Sequence, residues 1–173
     1  MFSDIKKYRI ESTRLKDWDY STAWWYYVTI NTKNHVEWFG KVVNKKMILN
    51  DIGKIVEREW IKTEQIRENI ELDYYVVMPN HVHGIIIIFE NVKTTRRVVS
   101  TTLKPNSLGS IIGQFKSVCT KEIRKLAPAF HWQSRFYDRI IRNEKELYKI
   151  RNYIEQNPLR WELEKDALDN LEL

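Results

Sequence analysis

The chain has 173 residues, 43% of them hydrophobic and 13% aromatic, and a formal net charge of +6. This length and apolar content predict one domain with its own core and exclude disorder throughout the chain. A single cysteine excludes an internal disulfide and a zinc site built from several cysteines. No run approaches the roughly 20 apolar residues of a membrane-spanning helix, and the N-terminus lacks a signal-peptide core. We therefore expect a soluble, cytoplasmic protein without a membrane partner.

The charge is unevenly distributed along the chain. Residues 161–173 carry a balance of −4, so the remaining 160 residues carry +10. Residues 1–20 contain many Lys and Arg side chains, which predicts a basic N-terminal arm with little packing of its own. A basic surface favours a polyanionic partner, because bound Lys and Arg release counterions from phosphates; charge kept for solubility is the alternative. For residues 161–173 we expect an acidic, solvated tail, or one that competes with DNA for the basic surface.

Hydrophobic patterning predicts the elements of the first half of the chain. Aromatic and β-branched residues at 24–30 predict a strand, and two short strands flank the turn at 44–46. Helical spacing predicts a helix that Asp51 caps and that runs to about Lys62. Two further strands, at 72–77 and 83–89, are joined around Pro79 and Asn80.

The second half begins with a polar, basic stretch at 91–106, which predicts a mobile surface loop. A helix follows from Ser107, then a strand around 136–141. The third helix begins at Asn143, with Glu146 as its capping-box partner, and ends before Pro158. This order predicts an α+β fold, in which helices pack on an antiparallel sheet, with one domain over 21–160.

Two histidines in the run Met78–Gly84 are the first candidate site residues. In a strand, alternate side chains share a face, so His81 and His83 point the same way while Val82 points to the opposite layer. Two unpaired imidazoles are costly inside a sheet, because each ring has a donor and an acceptor to satisfy. The pair therefore indicates a bidentate metal site; two hydrogen-bonded core histidines are the alternative.

The third predicted helix supplies further candidates. Tyr153 and Asn157 are i, i+4 neighbours on the flank of its apolar stripe, and Lys149 lies one turn earlier. Two imidazoles and an amide oxygen leave open positions on Mg²⁺ or Mn²⁺, where phosphate oxygens can bind. A tyrosine nucleophile needs a positive neighbour, which Lys149 or the metal can supply. A phosphotyrosine ester conserves the energy of the cleaved bond and favours strand transfer over hydrolysis.

These motifs resemble a known family. His81-Val82-His83 matches the histidine–hydrophobe–histidine (HUH) motif, and residues 153–157 match the single-tyrosine helix of HUH transposases. The runs 78–84 and 153–158 are similar to REP-associated tyrosine transposases, which are relatives of the IS200/IS605-type transposases. The resemblance covers roughly residues 20–163 and includes the segments 108–117, 132–133 and 138–142.

The resemblance implies a ferredoxin- or RRM-like HUH fold and a single-stranded DNA endonuclease and strand transferase that acts on REP-like hairpins. Tyr153 would form a 5′-phosphotyrosine link, and His81, His83 and Asn157 would bind the divalent metal, Mg²⁺ or Mn²⁺. The insertion-sequence relatives have Gln at the position of Asn157, so the neighbouring Gln156 stays an alternative ligand. Gln156 and Lys149 are the two accessory candidates. Monomer and homodimer both stay open.

Several alternatives remain at this stage. Metallo-β-lactamase-like hydrolases also use His-x-His, but they typically have Asp at the position of Ile85. Tyr137 is the competing nucleophile, although it lacks a ligand four residues later, and for His131 we expect no role in metal binding. A non-catalytic hairpin-binding module and a water-using metal-dependent hydrolase are the rival functions. Basic side chains that could follow a DNA backbone, or simply be solvated, are Lys116, Lys121, Arg124, Arg135, Arg139 and Arg142.

Overall fold

The computed structural model describes residues 17–90 and 106–169, and for 166–169 only the course of the backbone. Most of the predicted basic arm, nearly all of the predicted loop at 91–106 and the last residues of the acidic tail lie outside the described residues. None of the described helices is long and apolar enough to cross a membrane.

Four strands form the main antiparallel sheet, and two form a separate hairpin. The strands are β1 (Trp24–Asn31), β2 (Gly40–Val43), β3 (Lys46–Leu49), β4 (Ile70–Val77), β5 (His81–Ile88) and β6 (Tyr137–Ile140). The order in the main sheet is β4-β5-β1-β6, and β2 pairs with β3. The helices are α1 (Asp51–Gln65), α2 (Leu108–Ile123), α3 (Glu144–Glu155) and α4 (Asn157–Asp169). The predicted α+β fold with an antiparallel sheet is confirmed.

Helices cover both faces of the sheet. On one face, α1 and α2 contribute Trp60 and Phe115 to a large core that also contains Val82. On the other face, α3 contributes Leu147 and Ile154 to a smaller cluster of buried residues. Because side chains alternate along β5, Val82 enters the large core while its two histidine neighbours lie on the α3 side.

Gly84 allows α1 to approach the sheet directly behind the histidines. A Cβ added at Gly84 would lie 2.3 Å from Cζ2 of Trp60, whose side chain is fully buried. We expect Gly84→Ala to lower the free energy of unfolding by about 1–3 kcal/mol, because the indole would have to shift within a packed core. Urea unfolding followed by circular dichroism measures this change.

Gly113→Ala is the matched control, because a Cβ added at that helical position in α2 meets nothing within 4 Å. We expect it to raise the free energy of unfolding by up to roughly 1 kcal/mol, since alanine favours a helix over glycine. Equal effects of the two substitutions would contradict the steric argument for Gly84.

The ends of the helices differ from the predictions in two places. Asn50, not Asp51, caps α1, because its side-chain oxygen accepts a hydrogen bond from the Gly53 amide at 2.9 Å. The sequence predicts a third helix that runs to Pro158, but α3 ends at Glu155 and a new helix begins at Asn157. Pro158 lies in the first turn of α4, where its missing amide hydrogen breaks no helical hydrogen bond.

Two terminal segments also pack more than expected. Trp18 donates its indole hydrogen to the Tyr26 hydroxyl at 3.1 Å, and Tyr20 packs against the large core. The described end of the predicted arm is therefore not a free segment. In the predicted acidic tail, the Glu162 carboxylate accepts a hydrogen bond from the Lys45 amide at 2.9 Å. The start of the tail is thus a helix that contacts the β2–β3 hairpin.

Candidate active site

The histidine pair lies at the start of β5, on the face covered by α3. A tight turn precedes it, in which the Met78 amide donates to the His81 carbonyl at 2.8 Å. The ring centroids of His81 and His83 are 4.5 Å apart, with an interplanar angle of 71°. The two imidazoles therefore lie side by side, as the alternation of a strand predicts.

A hydrogen-bond partner engages Nδ1 of each ring. Nδ1 of His83 lies 2.7 Å from the Tyr27 hydroxyl and 2.9 Å from Oγ1 of Thr29. Nδ1 of His81 lies 2.6 Å from Oδ1 of Asn80, whose amide nitrogen donates to the His35 carbonyl at 2.9 Å. Partners at Nδ1 fix the ring orientation and favour Nε2 as the metal-binding atom.

Burial keeps both imidazoles neutral near pH 7. It lowers the pKa of His81 to about 4 and, together with the nearby His81 ring, lowers the pKa of His83 to about 3. A hydrogen bond from the His81 ring to the Asn157 side chain partly opposes the effect at His81. Neutral imidazole is the form that binds metal, because the protonated ring has no free lone pair.

These pKa values predict a loss of stability in mild acid when EDTA is present. The unfolded chain takes up protons near pH 6.5, whereas folded His81 and His83 resist protonation until about pH 4 and 3. Above pH 6.5 both histidines are neutral in the folded and unfolded states, and the free energy of unfolding is at its full value. As the pH falls below 6.5, the free energy of unfolding declines by roughly 1 kcal/mol per pH unit and histidine.

Urea unfolding between pH 7 and 4 tests this prediction. A variant with His81→Asn and His83→Asn should show a shallower decline than the wild type. Parallel curves for the two proteins would show that other groups cause the acid sensitivity.

Tyr153 and Asn157 reach the histidine pair from two different helices. The Tyr153 ring lies 5.2 Å from the His83 ring, and the Asn157 side chain is hydrogen-bonded to His81. Asn157 is 5% exposed, whereas Tyr153 is 37% exposed to solvent. The prediction that both lie on one helix is wrong, because α3 ends at Glu155 and Asn157 begins α4. They nevertheless meet at one centre.

The donor set at this centre fits a divalent metal. Within residues 17–90 and 106–165, no three or more His, Cys, Asp or Glu side chains form a cluster suited to a metal ion. The ligands would therefore be the two neutral imidazoles and the amide oxygen of Asn157, which is hydrogen-bonded to one of those rings. Mn²⁺ accepts such a mixed nitrogen and oxygen set and keeps further positions for other ligands.

Comparison with known sequences shows one family relationship. No family model matches the chain. An uncharacterized protein of Haemophilus influenzae is 37% identical over 167 residues, which cover 91% of this chain and 93% of that protein. The chain belongs to the same family as the Haemophilus protein.

A solved structure carries the comparison further. A REP-associated tyrosine transposase bound to a REP hairpin superposes with a TM-score of 0.59, at 20% identity, over 87% of this chain and 74% of that chain. The chain has the fold of a REP-associated tyrosine transposase. The fold that the motif resemblance implies is thereby confirmed.

The predicted accessory residues are both exposed to solvent. Lys149 is exposed on α3, and Gln156 is exposed at the C-terminal cap of that helix. A cation that does contact the Tyr153 ring is Arg160, whose guanidinium carbon lies 5.3 Å from the ring centroid. Trp161, the next residue of α4, lies 5.8 Å from the His81 ring.

The predicted DNA-binding residues fall into separate groups. Lys116, Lys121 and Arg124 line an open cavity of about 530 Å³ between α2 and the segment 131–134. The Lys116 ammonium donates to the Gln133 and Ser134 carbonyls, and burial lowers its pKa.

His131 belongs to this cavity and not to the histidine pair, because Arg124 hydrogen-bonds its Nδ1 at 2.8 Å. Arg139 lies elsewhere, in an ion pair with Glu146 at 2.5 Å, and the Arg142 amide donates to the same carboxylate. Arg135 is exposed.

Sequence reasoning missed five residues around the centre: Tyr27, Thr29, Asn80, Arg160 and Trp161. The sequence did not single out Tyr27 as a site residue, because aromatic residues in strands more often belong to the core. Tyr27 is indeed buried, with 8% of its surface exposed. The one signal for Arg160 and Trp161 was their position directly after the motif that ends at Pro158, where a helix can begin.

Proposed function

We propose that the protein is a single-stranded DNA endonuclease and strand transferase with Tyr153 as its nucleophile. One observation carries the proposal: the ring centroids of Tyr153 and His83 lie 5.2 Å apart, at the centre where Asn157 is hydrogen-bonded to His81. A partly exposed tyrosine ring therefore lies beside a donor set that fits a divalent metal. Nucleophile and metal ligands in one place form a site suited to phosphoryl transfer.

His81, His83 and Asn157 are the proposed ligands of Mg²⁺ or Mn²⁺. When bound, such an ion holds a phosphate oxygen and withdraws charge from it. The residues around the ligands fix their orientation, since Tyr27 and Thr29 engage His83 and Asn80 engages His81. Partners of this kind typically contribute a factor of about 10 to 100 in metal affinity.

The proposed reaction exchanges one phosphate ester for another. The Tyr153 oxygen forms a bond to phosphorus and loses its proton, while the bond from phosphorus to the 3′ oxygen breaks. The 3′ oxygen takes up a proton and leaves as a free 3′-OH, so the products are a 5′-phosphotyrosine and a 3′ end. Attack by a 3′-OH on the phosphotyrosine reverses the step or joins a new strand, without ATP.

The Arg160 guanidinium lies over the Tyr153 ring, and its proposed role is to bind the non-bridging oxygens of the attacked phosphate. Lys149 and Gln156 are exposed and lie close to Tyr153 in the sequence. Both remain proposed accessory residues.

The proposed substrate is hairpin DNA with single-stranded flanks. The similar transposase was solved bound to a REP hairpin, and the basic side chains here offer contacts to a DNA backbone. These proposed contacts are Lys116, Lys121 and Arg124 at the cavity of α2, and Arg135, Arg139 and Arg142 near β6.

A gel assay with labelled hairpin DNA tests the proposal. The full-length protein is incubated with hairpins from repeats that flank its gene, in Mn²⁺, Mg²⁺ or EDTA, and resolved under denaturing conditions. We expect a denaturant-resistant protein–DNA adduct that depends on metal. Tight binding without an adduct, across several hairpins, would favour a non-catalytic binding module. Cleavage that persists in Tyr153→Phe would indicate a hydrolase that uses water.

A further inference from the structure

An exposed tyrosine lies in the same row of the sheet as the histidine pair. Thr29 of β1 pairs with His83 on one side and with Tyr137 of β6 on the other. Neighbouring strands are about 4.8 Å apart, so the Cα atoms of Tyr137 and His83 are separated by roughly 10 Å. Tyr137 therefore lies within reach of a nucleotide adjacent to the phosphate that Tyr153 would attack.

Contacts place the Tyr137 ring on the side of the sheet that carries the candidate active site. Its ring meets the Tyr27 ring edge-on, at 6.3 Å and 69°. Tyr27 stacks on the His83 ring at 5.6 Å and meets the Tyr153 ring at 6.4 Å. One buried tyrosine thus contacts the proposed nucleophile, a proposed ligand and Tyr137.

The Tyr137 ring is held in place but remains open to solvent. Tyr137 is 44% exposed, and its side chain is hydrogen-bonded to Arg139, which is in turn ion-paired with Glu146 of α3. An aromatic ring that is oriented by its neighbours and keeps an accessible surface is suited to stacking, because every base offers a π-face.

Two further tyrosines that are exposed among the described residues, Tyr148 and Tyr74, lack this combination. Tyr148 is 67% exposed on α3. Tyr74 is covered by the guanidinium of Arg151, whose central carbon lies 5.4 Å from the ring centroid. Tyr137 is set apart from them by its contact with Tyr27, and through Tyr27 by its proximity to Tyr153 and His83.

We propose that Tyr137 forms a nucleobase subsite, in which its ring stacks on a base next to the attacked phosphate and fixes the position of the strand over Tyr153. The inference rests on the proposed function, because it assigns a contact to that substrate. Arg139 is the positioning residue that holds the Tyr137 side chain. The ring contributes to binding and to the choice of cleavage position, while the nucleophile is Tyr153.

Fluorescence of 2-aminopurine tests the subsite directly. Single-stranded flanks of a hairpin carry 2-aminopurine at one position at a time, and binding to the full-length protein is followed in EDTA, where metal-dependent cleavage does not occur. We expect stacking to quench the fluorescence at one position near the cleavage site. Tyr137→Leu should abolish that quenching alone and weaken binding by roughly 5- to 100-fold.

Two further variants separate stacking from a structural effect. Tyr137→Phe retains the ring and should retain the position-specific quenching. Tyr148→Leu removes an exposed tyrosine from α3 and should leave the quenching pattern as in the wild type. Unchanged quenching in Tyr137→Leu, or an equal loss at every position, would overturn the subsite. Loss of the adduct in Tyr137→Phe, with retention in Tyr153→Phe, would make Tyr137 the nucleophile and also overturn it.

The experiment distinguishes the subsite from the proposed function. Position-specific quenching that depends on the Tyr137 ring, in a protein that forms no adduct with metal, would refute the nuclease and support the base contact. An adduct without any quenching that depends on Tyr137 would support the nuclease and refute the subsite.

Discussion

Tyr153→Phe is expected to eliminate the covalent protein–DNA adduct and to lower strand cleavage by a factor on the order of 10³ or more. The substitution removes only the attacking oxygen. The ring contacts with His83, Tyr27 and Arg160 can persist, so metal and DNA binding should change little. The measurement is single-turnover adduct formation on denaturing gels, together with hairpin binding in EDTA.

Tyr148→Phe is the matched control, because it removes a hydroxyl from an exposed tyrosine of the same helix. We expect adduct formation at the wild-type rate. Mass spectrometry of the peptide that carries the nucleotide then identifies the modified residue. An adduct on any residue other than Tyr153 would refute the assignment of the nucleophile.

The double substitution His81→Ala and His83→Ala is expected to weaken Mn²⁺ binding by at least roughly 100-fold and to abolish metal-dependent cleavage. Two of the three proposed ligands are lost, and the Asn157 oxygen alone provides too few donors. Titration calorimetry with Mn²⁺ measures the affinity, and the gel assay measures the adduct. Hairpin binding in EDTA should persist, since the cationic residues remain.

The control for metal affinity is His131→Ala. His131 is hydrogen-bonded to Arg124 in the basic cavity and does not belong to the histidine pair. Mn²⁺ affinity should not change in this variant. Unaltered Mn²⁺ affinity in the double variant would place the metal elsewhere. If the wild type formed the adduct without metal, the proposed role of His81 and His83 as ligands of a required metal would be contradicted.

A smaller effect is expected for Tyr27→Phe, which removes one of the two hydroxyls at Nδ1 of His83. Thr29 remains as the second partner at 2.9 Å. Mn²⁺ affinity should therefore fall by less than in the histidine variant, by about 10-fold or less.

Local pattern was sufficient to predict the strands and the histidine pair. Alternation along β5 puts His81 and His83 on one face regardless of what surrounds the strand, because successive side chains point in opposite directions. Ser107 and Asn143 begin their helices as predicted, since capping depends on a side chain and an amide only three residues away. Features that depend on neighbours in sequence were therefore accessible from the sequence.

Tertiary structure decided which residues meet at the candidate active site. Tyr153 and Asn157 belong to separate helices, and the turn between α3 and α4 brings Asn157 to His81. The Arg160 contact with Tyr153 likewise depends on the direction in which α4 leaves that turn. The sequence marks a break at Pro158 but does not specify this direction, because packing against the β2–β3 hairpin contributes to it.

The sequence by itself thus determined the order of the strands and of the first three helices, the α+β class and the main candidate residues. The pairing of β1 with both β5 and β6 decided that Tyr27, Thr29 and Tyr137 lie beside the histidines. Those contacts join residues more than 50 positions apart along the chain. Strand order and register set them, and both follow from how the whole core packs rather than from any local pattern.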